Sequence, residues 1–388
     1  MESLPSTHIA TAEKEQDQVP IGSINLPEST IKSVDATKIS ESDPSYAREL
    51  VGTQGWLNSN PIRLSELKGR VILLDFWTYS CVNCIRTFPV LKQWYSKYSK
   101  HGLLIIGVHT PEFQFEHDLD NLKQAISDHG INWPVVQDNN RSTWRAYKNL
   151  YWPTKYIIDH NGVIRYSHFG EGNYEETERW IHDLLIDAGA NISHDLAPNS
   201  IRPESESKPT NDQVAKITSE LYLGYERACD FLSNIFANSK IDDATYCQSQ
   251  DMTVRYRDPK IHLEHRLYLQ GDWFAGSDGL KHASETQNHE DYVLVRFFAA
   301  NANAVLASES SSPIEVLITL DDEHLTNDNK GHDVTIKPTG ESYIRVTHPR
   351  MYNILQEKTE GDYKLKLSTN SSDLVLYTFT FGTTNNGS

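Results

Sequence analysis

The chain has 388 residues, with 36 Lys and Arg against 53 Asp and Glu, a formal charge of −17 at neutral pH. That excess of acid argues against nucleic acid or an anionic membrane surface as the main partner. No run of eighteen apolar residues is present to cross a membrane as a helix, and 38% hydrophobic content suits two cores plus polar tail and linker.

Residues 1–45 are rich in Ser, Thr, Glu, Asp and Lys without a sustained period and are expected to form a disordered tail. Met1-Glu2-Ser3-Leu4-Pro5 has neither the basic start nor the apolar segment of a secretory signal. Four cysteines in this length do not make a disulfide framework. Both observations point to a cytoplasmic protein. Tyr46 to Leu57 leads into the first fold, and Pro61 to Arg70 reads as an extended piece and a turn.

Val71 to Trp77 is β-branched and aromatic and too short for a helix of its own, so it reads as a buried strand. Beyond it Ile85, Phe88, Leu91, Trp94, Tyr95 and Tyr98 fall on one helical stripe. The pair Cys81-Val82-Asn83-Cys84 thus lies where a strand hands over to a helix, with Cys81 at the helix N-terminus. Unpaired N–H groups and the helix dipole favour a thiolate there. The two-residue spacing brings the sulfurs within bonding reach. A second Cys-x-x-Cys or Cys-x-x-His to complete a zinc site is absent from the sequence, and the sixteen histidines form no convincing His-x-x-x-His pair, so redox chemistry is expected rather than a metal.

Lys100-His101-Gly102 ends the helix, and Leu103 to Val108 is a second buried strand, parallel to the first through a right-handed crossover. Phe115 to His129 is expected to be helical, Trp133 to Val136 a short strand and Ser142 to Leu150 a helix. Thr154 to Ile158 and Gly162 to His168 are strands joined by a turn containing Asn161-Gly162. Tyr174 to Ala188 is an amphipathic helix. Residues 191–212, with Pro198, Pro203 and Pro209, are the expected linker between residues 46–190 and 213–388. Val214 to Phe236 reads as partly helical, weakened by Gly224. Six alternating runs from His262 to Phe381 then predict an all-β sandwich of jelly-roll type. Cys229 and Cys247 are expected to be buried free thiols.

The order Asp75-Phe76-Trp77, Cys81-Val82-Asn83-Cys84, Pro89 and Tyr151-Trp152-Pro153 resembles the thioredoxin superfamily, and the extra helix and strand resemble its TlpA/redoxin branch. Gly107 to Phe113, His168 to Gly172, Glu220 to Ala228 and Thr378 to Gly382 narrow the likeness to the thioredoxin part and C-terminal domain of DipZ-type proteins. The resemblance implies an α/β thioredoxin fold followed by a sandwich similar to carbohydrate-binding modules. It implies that Cys81 is the nucleophile, Cys84 the resolving thiol, Asp75 a buried proton acceptor and Pro153 a cis-proline shaping the substrate groove. Asp75 as an acid satisfied by backbone and Pro153 as a trans strand start are the alternatives. Trp77 and Trp152 are expected to wall the groove or to pack in the core. Partners would be thiol- or disulfide-containing proteins and an unidentified electron donor, with a sugar or protein ligand for the sandwich; no cofactor is implied. DipZ-type proteins typically carry an N-terminal transporter region where this chain has a polar tail, which leaves an extracytoplasmic location as the alternative.

Two competing functions arise from other residues. Thr78-x-x-Cys81 matches the peroxiredoxin pattern, but Leu74 stands where its proline belongs and Cys84 is too close for a separate resolving position. Trp273, Phe274 and Tyr268 could form an aromatic binding platform, although core positions are expected of them. Glu112 is read as a solvated loop acid.

Overall fold

A computed structural model describes residues 46–192, 216–229, 240–241, 245–310 and 312–383. The expected tail and most of the expected linker lie outside the described residues. The first region runs β1 (Trp56–Leu57), β2 (Val71–Trp77), α1 (Val82–Tyr98), β3 (Leu103–His109), α2 (Leu119–Asp128), β4 (Val135–Gln137), α3 (Ser142–Ala146), β5 (Thr154–Ile158), β6 (Ile164–Phe169) and α4 (Tyr174–Asp187). Its sheet is ordered β1-β4-β3-β2-β5-β6. β2, β3 and β4 are parallel neighbours, while β5 and β6 run antiparallel.

Every residue of β2 and β3 is buried because helices cover both faces. Alternation along β2 then sorts the side chains. Leu73 and Trp77 join Phe88 and Leu91 of α1 and Ile181 and Leu184 of α4 in one core, while Ile72, Leu74 and Phe76 meet Trp144 and Tyr147 in another. Asp75 shares the parity of Leu73 and Trp77, which places it on the α1 face.

Some predicted boundaries moved for local reasons. The stretch expected to be helical from Phe115 starts as a 3₁₀ turn, Gln114–His117, and becomes α-helix only after Asp118. The Asp118 carboxylate accepts from the N–H groups of Asp120 and Asn121 at 2.8 and 2.9 Å, a side-chain N-cap. The helix expected through Leu150 stops at Ala146, and Lys148 takes a left-handed φ of 53°.

The second region comprises β7 (Leu221–Tyr222), α5 (Tyr225–Ala228), β8 (Lys240–Ile241), β9 (Thr253–Tyr256), β10 (Arg266–Ala275), β11 (Leu280–His282), β12 (Asp291–Ser308), β13 (Ile314–Leu320), β14 (Glu323–His324), β15 (Val334–Ile336), β16 (Ser342–Val346), β17 (Arg350–Thr369) and β18 (Leu374–Gly382). The partial helix expected over Val214 to Phe236 is corrected within its described part: only α5 is helical, and β7 precedes it. Tertiary packing explains this, since a Cβ on Gly224 would lie 2.3 Å from the carbonyl carbon of Asp278.

The expected all-β sandwich is present as one hydrogen-bonded path. β12 pairs with β10 and the end of β17 through its first half, then with the start of β17 and β18 through its second. β11 bridges β10 to β18, closing a four-strand circuit around the core. Trp273 and Tyr268 are core residues, at 0% and 1% exposure. The expectation of free thiols at Cys229 and Cys247 is overturned: they form a disulfide, with Cα atoms 5.6 Å apart. Buried Tyr246 donates its hydroxyl to the Leu223 carbonyl and ties the Tyr246–Gln248 turn to the segment between β7 and α5.

The two regions meet through residues 112–116. Phe113 and Phe115 pack on Tyr377 at 5.2 and 4.6 Å between ring centres, and the Gln114 N–H donates to Asp278 at 2.6 Å. Glu112 is not the solvated acid expected. Its side chain is only 10% exposed, paired with Arg227 and accepting from Tyr222 at 3.0 Å. Among the described residues no helix is long and apolar enough to cross a membrane.

Candidate redox site

Thr78, Tyr79 and Ser80 carry the chain from the end of β2 to α1, and Cys81 is the residue that caps the helix. Its backbone is extended, and its sulfur accepts from the Cys84 N–H at 3.4 Å. Both cysteines are free thiols; Cys81 is half-buried and Cys84 fully buried. Burial pushes the Cys84 thiol well above its usual range, the neighbouring Cys81 sulfur raises it further, and Asp75 adds to this. One sulfur is therefore reachable from outside while the other holds its proton inside.

Asp75 lies beneath them at 1% exposure. The antiparallel register of β2 and β5 sets it directly opposite Lys155, equally buried, with Nζ to Oδ1 at 3.4 Å. That contact is an ion pair without hydrogen-bond geometry, so both carboxylate oxygens lack a true hydrogen bond. Burial raises the Asp75 carboxyl, and the Lys155 charge opposes the rise. The alternative of a carboxylate satisfied by backbone does not describe this geometry.

The Trp152–Pro153 peptide is cis. Because Thr154 pairs with Phe76, buried Pro153 falls at the end of β2 that leads to the cysteines, and its carbonyl accepts from the Gly170 N–H at 2.8 Å. Trp152 is half-buried, 4.4 Å from the Trp144 ring centre, with its indole N–H on the Thr110 carbonyl at 3.0 Å. Trp77 is not a groove wall. It is 1% exposed, edge-on to Phe88 and His109 at 5.2 Å each, because its parity points it under α1.

Three neighbours of the pair escaped sequence reasoning. Lys155 is one; its signal was a lone cation inside an otherwise uncharged buried strand, Thr154–Ile158. Glu116, fully buried, is the second. It accepts from Ser80 Oγ at 2.6 Å and from the N–H groups of Ser80, Phe113 and Glu112 at 3.3, 3.0 and 2.5 Å. Burial and Glu112 push its carboxyl up while these donors pull it back. It clamps the turn before Cys81 to the segment that contacts the second region, and no local spacing announced it. His109, the third, is buried, with burial depressing it to about 3, so it is neutral. It meets Thr78 Oγ1 at 3.3 Å and stacks on Tyr79.

A cysteine pair capping the helix after a central strand, a buried acid below it and a cis-proline on the adjoining strand define a thioredoxin-fold redox domain. Two stretches of the chain match families of thioredoxin-like proteins: residues 49–167 match the AhpC/TSA family, and residues 218–382 match the family described as thioredoxin-like C-terminal domain. It is 41% identical to protein DipZ of Mycobacterium tuberculosis over 188 residues, which cover 48% of this chain and 26% of DipZ. It is 30% identical to the thiol-disulfide oxidoreductase ResA of Bacillus subtilis, over 33% of this chain and 66% of ResA. The human NHL repeat-containing protein 2 is 41% identical over 31% of this chain and 17% of its own. A thioredoxin-like protein in the oxidized form is similar at 25% identity, covering 37% of this chain and 95% of its own, with a TM-score of 0.33. The chain thus matches about a quarter of the length of DipZ.

Proposed function

We propose that this protein is a thiol–disulfide oxidoreductase that works through Cys81 and Cys84, with residues 46–190 and 213–388 as its two domains. The observation that carries the reading is the asymmetry of the pair: Cys81 reachable at the helix N-terminus, Cys84 buried over Asp75. The Cys81 thiolate attacks one sulfur of a substrate disulfide, forming a mixed disulfide and expelling the other sulfur as thiolate. Cys84 then gives its proton to Asp75 and attacks the Cys81 sulfur. The Cys81–Cys84 disulfide forms and the second substrate thiolate leaves. A separate dithiol donor returns two electrons to the pair; run in reverse, the cycle oxidises a dithiol. Pro153, which has no N–H, shapes the groove beside the sulfurs, and Trp152 borders it.

Substrates of this chemistry are proteins or small molecules with a disulfide or thiols, and neither a cofactor nor nucleic acid takes part. The disulfide between Cys229 and Cys247 supports an extracytoplasmic setting over the cytoplasmic one, because such bonds persist in oxidising compartments.

The test is an equilibrium redox titration of the pair against glutathione and dithiothreitol, with Cys81→Ser as control. A midpoint at or below about −250 mV marks a reductant, and one between about −180 and −120 mV an oxidant or isomerase. Failure of the pair to form a disulfide sinks the reading. The AhpC/TSA match favours one second reading, peroxide reduction. Peroxide would oxidise Cys81 to a sulfenic acid, releasing water, and Cys84 would condense with it and release a second water. The Thr78 hydroxyl is engaged by His109, which weighs against this role. Faster turnover of hydrogen peroxide than of disulfides would reverse the preference.

A further inference from the structure

A cleft of about 460 Å³ lies between the two regions, directly beside the redox turn. Tyr79, Val82 and Ile85, which flank Ser80 and Cys81, form one wall; Met351, Asn353 and Pro349 at the start of β17 face them. We propose that this cleft holds the polypeptide around the substrate's cysteine, so that the C-terminal β region builds half of the substrate site. The inference rests on the disulfide-exchange reading and specifies its substrate class: an uncharged stretch of protein chain with an apolar side chain next to the cysteine.

Size is the first argument, since the volume falls within the roughly 300–1,000 Å³ of ordinary ligand sites. The lining's chemistry is the second. Val82, Ile85 and Met351 offer a half-buried apolar floor, and the methionine thioether adapts to varied side chains. Asn303 and Asn353 are buried and joined by a 2.8 Å hydrogen bond, and the His332 N–H and Thr380 Oγ1 engage the remaining amide oxygen and nitrogen, giving a fixed, uncharged wall. Charge is the third argument. Both lining arginines already have anions: Arg350 has Asp333 at 2.7 Å and Arg86 has Glu171 at 3.4 Å, while burial lowers the His348 and His129 imidazoles below their ordinary range. An anionic low-molecular-mass disulfide would need free cations, whereas a neutral peptide segment needs none. The His348–Asp128 contact, at 3.5 Å, also bridges the two walls.

The test compares two probes on the full chain, insulin as protein disulfide and 2-hydroxyethyl disulfide as small one. Met351→Trp fills the cleft without touching either cysteine. The expected result is a loss of about tenfold or more in kcat/KM for insulin, with the small disulfide changed by less than about twofold. Equal loss on both probes, or no loss on either, overturns the cleft's role. If the unmodified chain turns over neither probe, the exchange reading itself fails and the cleft goes with it. Should Met351→Trp not fold, a second measurement decides. Cys84→Ser is trapped as a mixed disulfide with a single-cysteine decapeptide, and hydrogen exchange is followed. Slower exchange across residues 347–351 is expected, and unchanged exchange there overturns the proposal.

Discussion

Cys81 and Cys84 stand three residues apart, at the N-cap and on the first turn of a helix, both as thiols. Cys229 and Cys247, separated by 18 residues, join the end of α5 to a turn and are bonded. The first pair sits over a buried carboxyl and beside a cis-proline, so its two sulfurs differ in exposure and proton affinity. The second pair links the C-cap of α5 to the Tyr246–Gln248 turn. The contrast teaches that the same element is left as two unlike thiols or joined as a bond according to where the fold places it.

The largest effect should separate the two pairs outright. Cys81→Ser is expected to reduce disulfide exchange to the uncatalysed background, measured with insulin. Replacing both Cys229 and Cys247 by Ser should leave that rate intact and lower stability by about 3 kcal/mol, the cost of reopening a loop of this length. Urea unfolding and the insulin assay on both variants check this. Loss of exchange in the second variant would break the comparison.

The support under the active pair can be probed next. Lys155→Met leaves the Asp75 charge buried alone and should cost about 3–5 kcal/mol, while adding Asp75→Asn should recover most of that. Asp75→Asn by itself should slow the release of the mixed disulfide more than its formation, read by single-turnover kinetics. Equal slowing of both steps would remove Asp75 from proton transfer.

A smaller effect is expected at the contact between regions. Glu112→Ala removes one acceptor from Tyr222 and the paired carboxylate from Arg227, leaving Glu220 beside both, and should cost about 1–3 kcal/mol. Hydrogen exchange should quicken across residues 112–116 and 221–228 and stay unchanged in β2 and β3.

The smallest signature is a pH slope. The folded state raises the Asp75 carboxyl above its ordinary value of 3.8, so it binds that proton more tightly than the unfolded chain does. Its contribution to stability is complete below that value and is lost as pH rises through the raised one. The stability of the natural chain minus that of Asp75→Asn/Lys155→Met should therefore begin to fall as pH rises above about 4, with a slope of at most about 1.4 kcal/mol per unit. A rising difference would mean that Lys155 outweighs burial.

Much of the architecture was legible because it is written in local periods. The apolar run Val71–Trp77, the helical stripe through Tyr98 and the cysteine pair at their junction located the redox turn, and alternating runs after His262 located the sandwich strands. Parity along β2 even contained the placement of Trp77, since it shares a face with Leu73, yet a tryptophan beside a cysteine motif invites a groove reading. The partial helix expected from Val214 is confined, among the described residues, to α5 for another reason: Gly224 is required by a loop 54 residues away, and only contact with Asp278 reveals it.

By itself, then, the sequence determined which segments become strands and helices, and that a cysteine heads the helix, because alternation, helical spacing and caps act over a few residues. Tertiary structure alone decided that Lys155 faces Asp75, that Glu116 clamps Ser80, that Cys229 bonds to Cys247 and that the β region walls a cleft beside Cys81. Those pairings depend on strand register and on the packing of segments distant in the chain, and no local period records either.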